Sequence, residues 1–461
     1  MKRFLIPVFT ALLAAGPLVA AAQQQPSEAS YRRSSLCLML IDEPNMPKRD
    51  TIKTAFLATP VPDKYNDHNV GQRVIPYYSI TENDRVAYRQ AVALGQETPA
   101  GNSGTGVKKK GSAFGSLAKG LAGAALSSTA ETSQSTVIDV SDKEVPAVIA
   151  NKFLLEQAVA KQLFDKWFIE DGRFNMNLIK ERGLYDATVM DVQTAKNSVR
   201  GMGLLEDAGE ELISNTFVVV SRYRYMSKDE LVDEMTAAAQ LASQAVGGSV
   251  GEYASLAASV GSVGSKMALG AGYYVRTISY LFQLQWNDEI ANTLYAELWN
   301  NIDKYNASDI FTIKYIGEET AFANVKAGIF TNKPEEELIR IATINATDAV
   351  LAKLETKYDV FKTKTPLLSV SPYATAAIGM KEGVAPGDKY EVLERNVDPQ
   401  TNRTTYKRVA VLKAASGQIW DNRYMAAEEL TATGGDQSLT TTRFEGSLNG
   451  LYPGMLLRQT K

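Results

Sequence analysis

Helical spacing of apolar residues is clearest in the middle of the chain. Phe153, Leu154, Ala158, Gln162, Phe164, Trp167 and Phe168 predict a helix with a broad aromatic face. Val189, Val192, Ala195, Val199, Met202, Leu205 and Ile213 predict a second, over about 188–213. Earlier, Val86, Ala87, Ala91 and Leu94 follow Thr81, whose hydroxyl can cap a first turn, so a helix is expected over 81–96. Further helices are expected over 228–246, 288–303 and 335–358. Between them the pattern changes to dense β-branched and aromatic residues. NTFVVVSRYRYM, the stretch from Tyr273 to Trp286, and IFTIKYIG at 310–317 each predict a strand. From Pro366 onward, short apolar runs at Leu367–Val370, Lys389–Leu393 and Arg408–Leu412 alternate with turn signals such as PGD and TGGD, which predicts a five- or six-strand barrel. The region from Tyr31 to Gln96 reads as compact but irregular, apart from an apolar stretch at Leu36–Ile41.

These elements predict an α+β fold: a mixed helix-and-sheet core over 137–365, a small all-β barrel-like domain over 366–461, and an N-terminal region, 23–97, packing on the core. No Gly-rich βαβ turn argues for a doubly wound sheet. Residues 98–136 are rich in Gly, Ser, Thr and Ala and predict a linker or mobile loop. Within it Val107, Phe114, Leu117 and Leu121, beside Lys108, Lys109, Lys110 and Lys119, sketch a short basic amphipathic patch suited to a partner or a membrane surface. Four glycines weaken that helix by about 1 kcal/mol each. Residues 236–272 are almost entirely Ala, Gly, Ser and Val, with Glu252 and Lys266 the only charges. They read as two closely packed small-residue helices, or as a hairpin that inserts into a membrane on oligomerisation.

The N-terminus changes the picture most. Lys2 and Arg3 precede an apolar run ending in Ala20, Ala21 and Ala22, the pattern of a cleaved signal peptide over 1–22. Pro7 and Pro17 within a short run argue against a permanent anchor. The expected address is the periplasm or the outer-membrane region, with secretion beyond it left open. Formal charge is −3 and becomes −5 once Lys2 and Arg3 are removed, so no nucleic acid is expected as a partner. A lone cysteine, Cys37, cannot form an internal disulfide and lies in an apolar run, as a buried thiol would.

Candidate chemistry is sparse. His68 is the only histidine, which excludes zinc sites built on several imidazoles, and its polar context DKYNDHNVG predicts a surface loop. Gly101 and Gly106 have Walker-type spacing, but Val107 stands at the lysine position. Gly201 and Gly203 begin a dinucleotide fingerprint that Glu206 breaks. Ser116 and Lys119 match S-x-x-K without a K-T-G partner. Asp171, Glu181, Asp186, Glu206 and Asp207, near Trp167 and Tyr185, could serve a glycosidase, or could be solvated helix charges. No cofactor, metal or catalytic residue is therefore assigned.

ERGLYDATVMDVQTAKNSVRGMGLLEDAGEELISNTFVVV, with YRRSSLCLML and PVPDKYNDHN, resembles a family of uncharacterised exported proteins of Bacteroidota. That resemblance brings no activity and no site residues. AIGMKEGVAPGDKYEVLER is similar in pattern to β-domains at the C-termini of periplasmic flagellar and secretion-accessory proteins. The expectation is a non-catalytic envelope protein acting by binding or assembly, with an envelope protein or a second copy as partner. Interaction candidates are Tyr223, Tyr225, Tyr273 and Tyr280 on the strands and Phe114, Leu117 and Leu121 in the patch. A carbohydrate-active hydrolase and a membrane-inserting oligomer are the alternatives.

Overall fold

The computed structural model describes residues 34–96, 141–175, 178, 212–226, 230, 272–299, 301–326, 333–397, 404–432 and 439–460. The chain enters as strand β1 (Ser35–Asp42), then helix α1 (Arg49–Ala58), short strands β2 (Asn66–Asp67) and β3 (Val74–Pro76), and helix α2 (Glu82–Gln96). Helices α3 (Ser141–Glu156) and α4 (Val159–Phe168) lead into a small hairpin, β4 (Ile169–Glu170) and β5 (Arg173–Phe174). Strands β6 (Thr216–Met226) and β7 (Gly272–Leu284) precede the short helices α5 (Asp288–Thr293) and α6 (Ile302–Asn306). Strand β8 (Ile313–Lys326) and the long helix α7 (Glu335–Lys357) complete the larger body.

β1 is buried at every position. A strand covered on both faces has no solvent side, so it reads as a continuous apolar run rather than as an alternation. It lies inside the main sheet, in the order β2-β1-β6-β7-β8, with β3 also on β1. Pairing is parallel where β1 meets β2, β3 and β6, and antiparallel along β6, β7 and β8. Residues 34–96 thus supply an interior strand of the core sheet. The expected irregular region packing onto a separate core is corrected by that pairing.

Alternation along each strand sends side chains to two cores. Leu36, Leu38, Phe217, Val219 and Leu281 meet Ile52 and Phe56 of α1 and Ile339 and Ala342 of α7. On the other face Cys37, Met39, Val218, Val220 and Tyr280 meet α2, α3 and α4 through residues such as Tyr88, Phe153, Phe164 and Trp167. The result is α+β: a mixed sheet between two helical layers, followed by a six-stranded antiparallel barrel-like sheet.

Local signals account for several boundaries. Thr81 and Asp84 cap α2 reciprocally: Asp84 N–H donates to Thr81 Oγ1 at 3.3 Å, and Thr81 N–H to Asp84 Oδ2 at 2.7 Å. The aromatic helix expected through 153–168 is broken at Ala158, whose φ of 45° is left-handed. The helix expected over 288–303 is split by a π-turn at Leu294–Leu298. β8 runs past Gly317 to Lys326, longer than its apolar stretch suggested. At Gly317 any Cβ would overlap the Tyr358 hydroxyl, which accepts from Glu318 N–H at 2.9 Å, so glycine permits the close approach. Of the 188–213 helix only its end, Leu212 and Ile213, is described.

After α7 a short turn, Asp359–Phe361, drops Phe361 into the core, stacked on Tyr65 at 5.4 Å and edge-on to Phe217 at 4.9 Å. Lys362–Lys364 then leads into the barrel strands β9 (Thr365–Pro366), β10 (Ala374–Ala376), β11 (Lys389–Val397) and β12 (Thr404–Ala414). Helix α8 (Ala426–Ala432) and strands β13 (Thr442–Glu445) and β14 (Leu456–Gln459) finish it. The order is β10-β13-β12-β11-β14-β9. Its two ends meet through the Ser369–Thr375 bridge, which nearly closes the sheet over Tyr390, Val392, Leu412 and Phe444.

Phe361 is fully buried between two aromatic rings. Phe361→Ala is expected to cost about 3–5 kcal/mol of unfolding free energy, read as a lower urea midpoint at unchanged slope.

Candidate functional site

The site is built where the barrel meets α7. Asp348, Ala352 and Glu355 recur at four- and three-residue intervals, so they form one stripe of the helix. The stripe faces the turn Met380–Glu382 and Gly383, where the packing is tight. A Cβ on Gly383 would sit 3.0 Å from that of Ala352, and its φ of +77° already favours glycine. Glu382 anchors the turn, accepting from Gly379 N–H at 2.7 Å and from Asn422 Nδ2 at 2.8 Å.

Glu355 collects the far end of the chain. Its Oε1 lies 2.7 Å from Lys64 Nζ and also accepts from the Tyr65 hydroxyl, while both side chains of the ion pair are mostly buried. Burial works against the Lys64 charge, but Glu355, with Glu382 and Asp348 behind it, outweighs burial and raises the ammonium above its ordinary value. Burial, reinforced by Glu355, raises the Tyr65 phenol. Asp348 is half-buried, and desolvation pushes its carboxyl up to about 6; Glu382 adds to the shift, and Lys381 and Lys64 oppose it.

Beside this cluster opens a cleft of about 350 Å³. Ser34, Ser214 and Asn215, just before β1 and β6, line it. So do Lys64, Asp359, Val360, the linker residues Lys362, Thr363 and Lys364, and Arg458 of β14. Lys362 Nζ pairs with Asp359 at 2.8 Å and Arg458 Nε with Glu391 at 2.5 Å. Lys364 Nζ stands 4.2 Å from the centre of the Tyr406 ring. An adjoining crevice, lined by Glu355, Glu382 and Tyr390, measures about 30 Å³.

The residues chosen from the sequence do not converge here. Tyr223 is fully buried on the α7 side, hydrogen-bonded to Thr347 Oγ1 at 2.7 Å, and burial lifts its phenol to about 12. Tyr280 is fully buried in the opposite core. Both are withdrawn as contact residues, because helices cover each face of the sheet they belong to. Tyr225 is half-buried against the α7-side core. Tyr273 pairs with Val325 in the sheet, and its side chain lies outside the described residues. Phe114, Leu117 and Leu121 also lie outside them, as do residues 236–271 and the Gly101, Gly201 and Ser116 motifs.

His68 corrects the surface-loop expectation. It is fully buried, its ring stacked on Trp167 at 4.7 Å and its Nε2 donating to the Leu163 carbonyl at 2.8 Å. Trp167 is therefore core and offers no face to a sugar. Asp171 sits in an exposed turn, while Glu181, Tyr185, Asp186, Glu206 and Asp207 are outside the described residues. Cys37 is buried, which lifts its thiol to about 11 and makes it inert near neutral pH. Among the described residues no group of three or more His, Cys, Asp or Glu side chains could hold a metal ion, and no helix is long and apolar enough to cross a membrane.

Sequence reasoning passed over Lys64, Glu355, Lys362, Lys364 and Arg458. The one local signal was KTKTP, two lysines in alternation just before the proline that opens the barrel. The sequence matches no protein-family model and no curated protein.

Two outcomes follow from the cluster. Glu355→Gln leaves the Lys64 charge without its carboxylate and is expected to destabilise by about 3 kcal/mol, whereas Glu355→Leu with Lys64→Met recovers most of that in a double-mutant cycle. For Asp348, the folded carboxyl binds its proton more tightly than the unfolded one, so its contribution falls as pH rises from about 4 to about 6. Asp348→Asn should therefore raise the melting temperature at pH 7.5 and leave it nearly unchanged at pH 4.

Proposed function

We infer that the protein is an exported cell-envelope component that acts by binding rather than by catalysis, and that its ligand or partner group seats in the junction cleft. One observation carries this reading. The cleft draws its lining from both bodies: residues just before β1 and β6, the Lys362–Lys364 linker, and Arg458 of the barrel strand β14. Pockets of this size, between two folded units and with a few convergent polar groups, are where proteins hold small ligands. The signal-like N-terminus and the resemblance to exported Bacteroidota proteins support the envelope address.

A hydrolase would draw on Asp348, whose raised carboxyl suits a general acid. The crevice beside its neighbour Glu382 holds about 30 Å³, room for about one water molecule and not for a sugar ring. Binding is therefore the better-supported reading.

Val360 is exposed and lines the cleft, and Leu155 is exposed on α3. A photo-crosslinking residue placed at position 360 and expressed in the native envelope should yield discrete adducts, and the same residue at position 155 should not. Equal labelling at both positions, or none at position 360, would remove the cleft as the seat.

A further inference from the structure

We propose that the open edge of β12 in the barrel-like sheet takes up an extended acidic segment of another protein as an added strand. This surface shares no residue with the junction cleft and stands whether or not the cleft holds a ligand.

The edge follows from uneven pairing. On one side β11 accompanies β12 from Thr404, opposite Val397, to Lys413, opposite Lys389. On the other side β13 meets it only at Lys413 and Ala414. β13 ends at Glu445, after which Leu448 and Leu451 turn onto the barrel core. Among the described residues no strand continues beside Lys407–Val411 on that side. Alternate residues of such a stretch turn their N–H and C=O groups away from the paired neighbour, and those groups are a template for a further strand. Side chains leave the stretch accessible: Lys407, Arg408, Val409 and Val411 are exposed, the two valines at 40 % and 43 %, and Ala410 is half-buried.

The residue types of β12 select the occupant. Lys407, Arg408 and Lys413 are its only charged residues, and none of the three forms an ion pair with a described residue. Across the ladder Glu394 stands opposite Lys407 and Glu445 opposite Lys413, while Glu391, opposite Val411, is drawn to Arg458 at 2.5 Å. Arg408 stands opposite Leu393, with no carboxylate across from it. An added strand carrying carboxylates among apolar side chains would set opposite charge against Lys407 and Arg408 and apolar groups against Val409 and Val411. A second copy of the same edge would instead bring cations against cations. Val409 is also the extra residue of a bulge, since Val392 lies opposite Ala410 and Leu393 opposite Arg408. A bulge bends an edge and disfavours its stacking on an identical one. Both features turn away a like strand, and the charge favours an acidic one.

The test uses the purified full chain and two dye-labelled octapeptides, EVEVTVEV and its basic counterpart KVKVTVKV, followed by fluorescence polarisation and by amide hydrogen exchange. The acidic peptide should bind at least about tenfold more tightly than the basic one, with affinity falling as salt rises, and should slow exchange within Lys407–Val411. Of its two alternately N-methylated forms one should lose binding and the other keep it, because an added strand presents only one of its edges to β12. Reversing both charges, Lys407→Glu with Arg408→Glu, should exchange the preference between the two peptides. If that variant does not fold, the peptide pair and the N-methylated forms on the unaltered chain still decide. No binding of the acidic peptide, equal binding of both peptides, or retention of binding by both N-methylated forms overturns the proposal. So does protection of Lys407–Val411 that grows with protein concentration alone, which would give the edge to a second copy.

Discussion

The fold depends on α7 being buried around nearly its whole circumference. One side, through Leu338, Ile339, Ala342 and Ala346, packs on the sheet and α1. Another side, through Asp348, Ala352 and Glu355, receives the barrel. A helix used this way cannot carry a polar stripe to solvent, so its polar residues must find partners in place. They do so within a few ångströms: Thr343 Oγ1 donates to Ile339 O, Thr347 Oγ1 donates to Thr343 O, both at 2.8 Å, and Tyr223 reaches Thr347 from the sheet. Because two bodies meet on one helix, displacing α7 would uncover the α1-side core and remove the surface on which the Met380–Gly383 turn rests.

The second constraint is electrostatic and follows from the first. Glu355 is fixed on that helix at the point where the barrel closes over it, so its charge needs a cation in the same confined space. Lys64 and Tyr65 supply the partners from 290 residues away in sequence. A buried ion pair adds little net stability against an apolar pair of the same shape, since desolvation offsets most of the attraction. Its effect here is geometric: it fixes the 62–66 loop, α7 and the linker into one corner. The lysines of that corner, Lys64, Lys362 and Lys364, then line the cleft.

Parts of this were legible in the chain. Thr81 marked the start of α2, and the aromatic run from Tyr273 marked β7, because both signals are local and act within a turn or along a strand. The alternation of short runs and turn residues after Pro366 indicated the β unit for the same reason. By contrast, Leu36–Ile41 read only as an apolar stretch in an irregular region, since a doubly covered strand lacks alternation. The break at Ala158 was invisible because a left-handed alanine is imposed by packing and not by its own preference. His68 was misjudged because the polar residues around it, such as Asn66 and Lys64, are themselves folded inward, while its ring stacks on Trp167.

By itself, then, the sequence determined the classes of element, the α+β composition and the barrel-like C-terminal unit, all of which follow from residue types and their spacing along the chain. Tertiary structure alone decided which face of each strand is covered, and so buried Tyr223 and Tyr280. It also decided that residues 34, 64, 214, 362 and 458 border one cavity. Periodicity encodes how a segment sits against its nearest layer, whereas a site assembled from five distant segments exists only once loop closure and burial have brought their side chains within reach of one another.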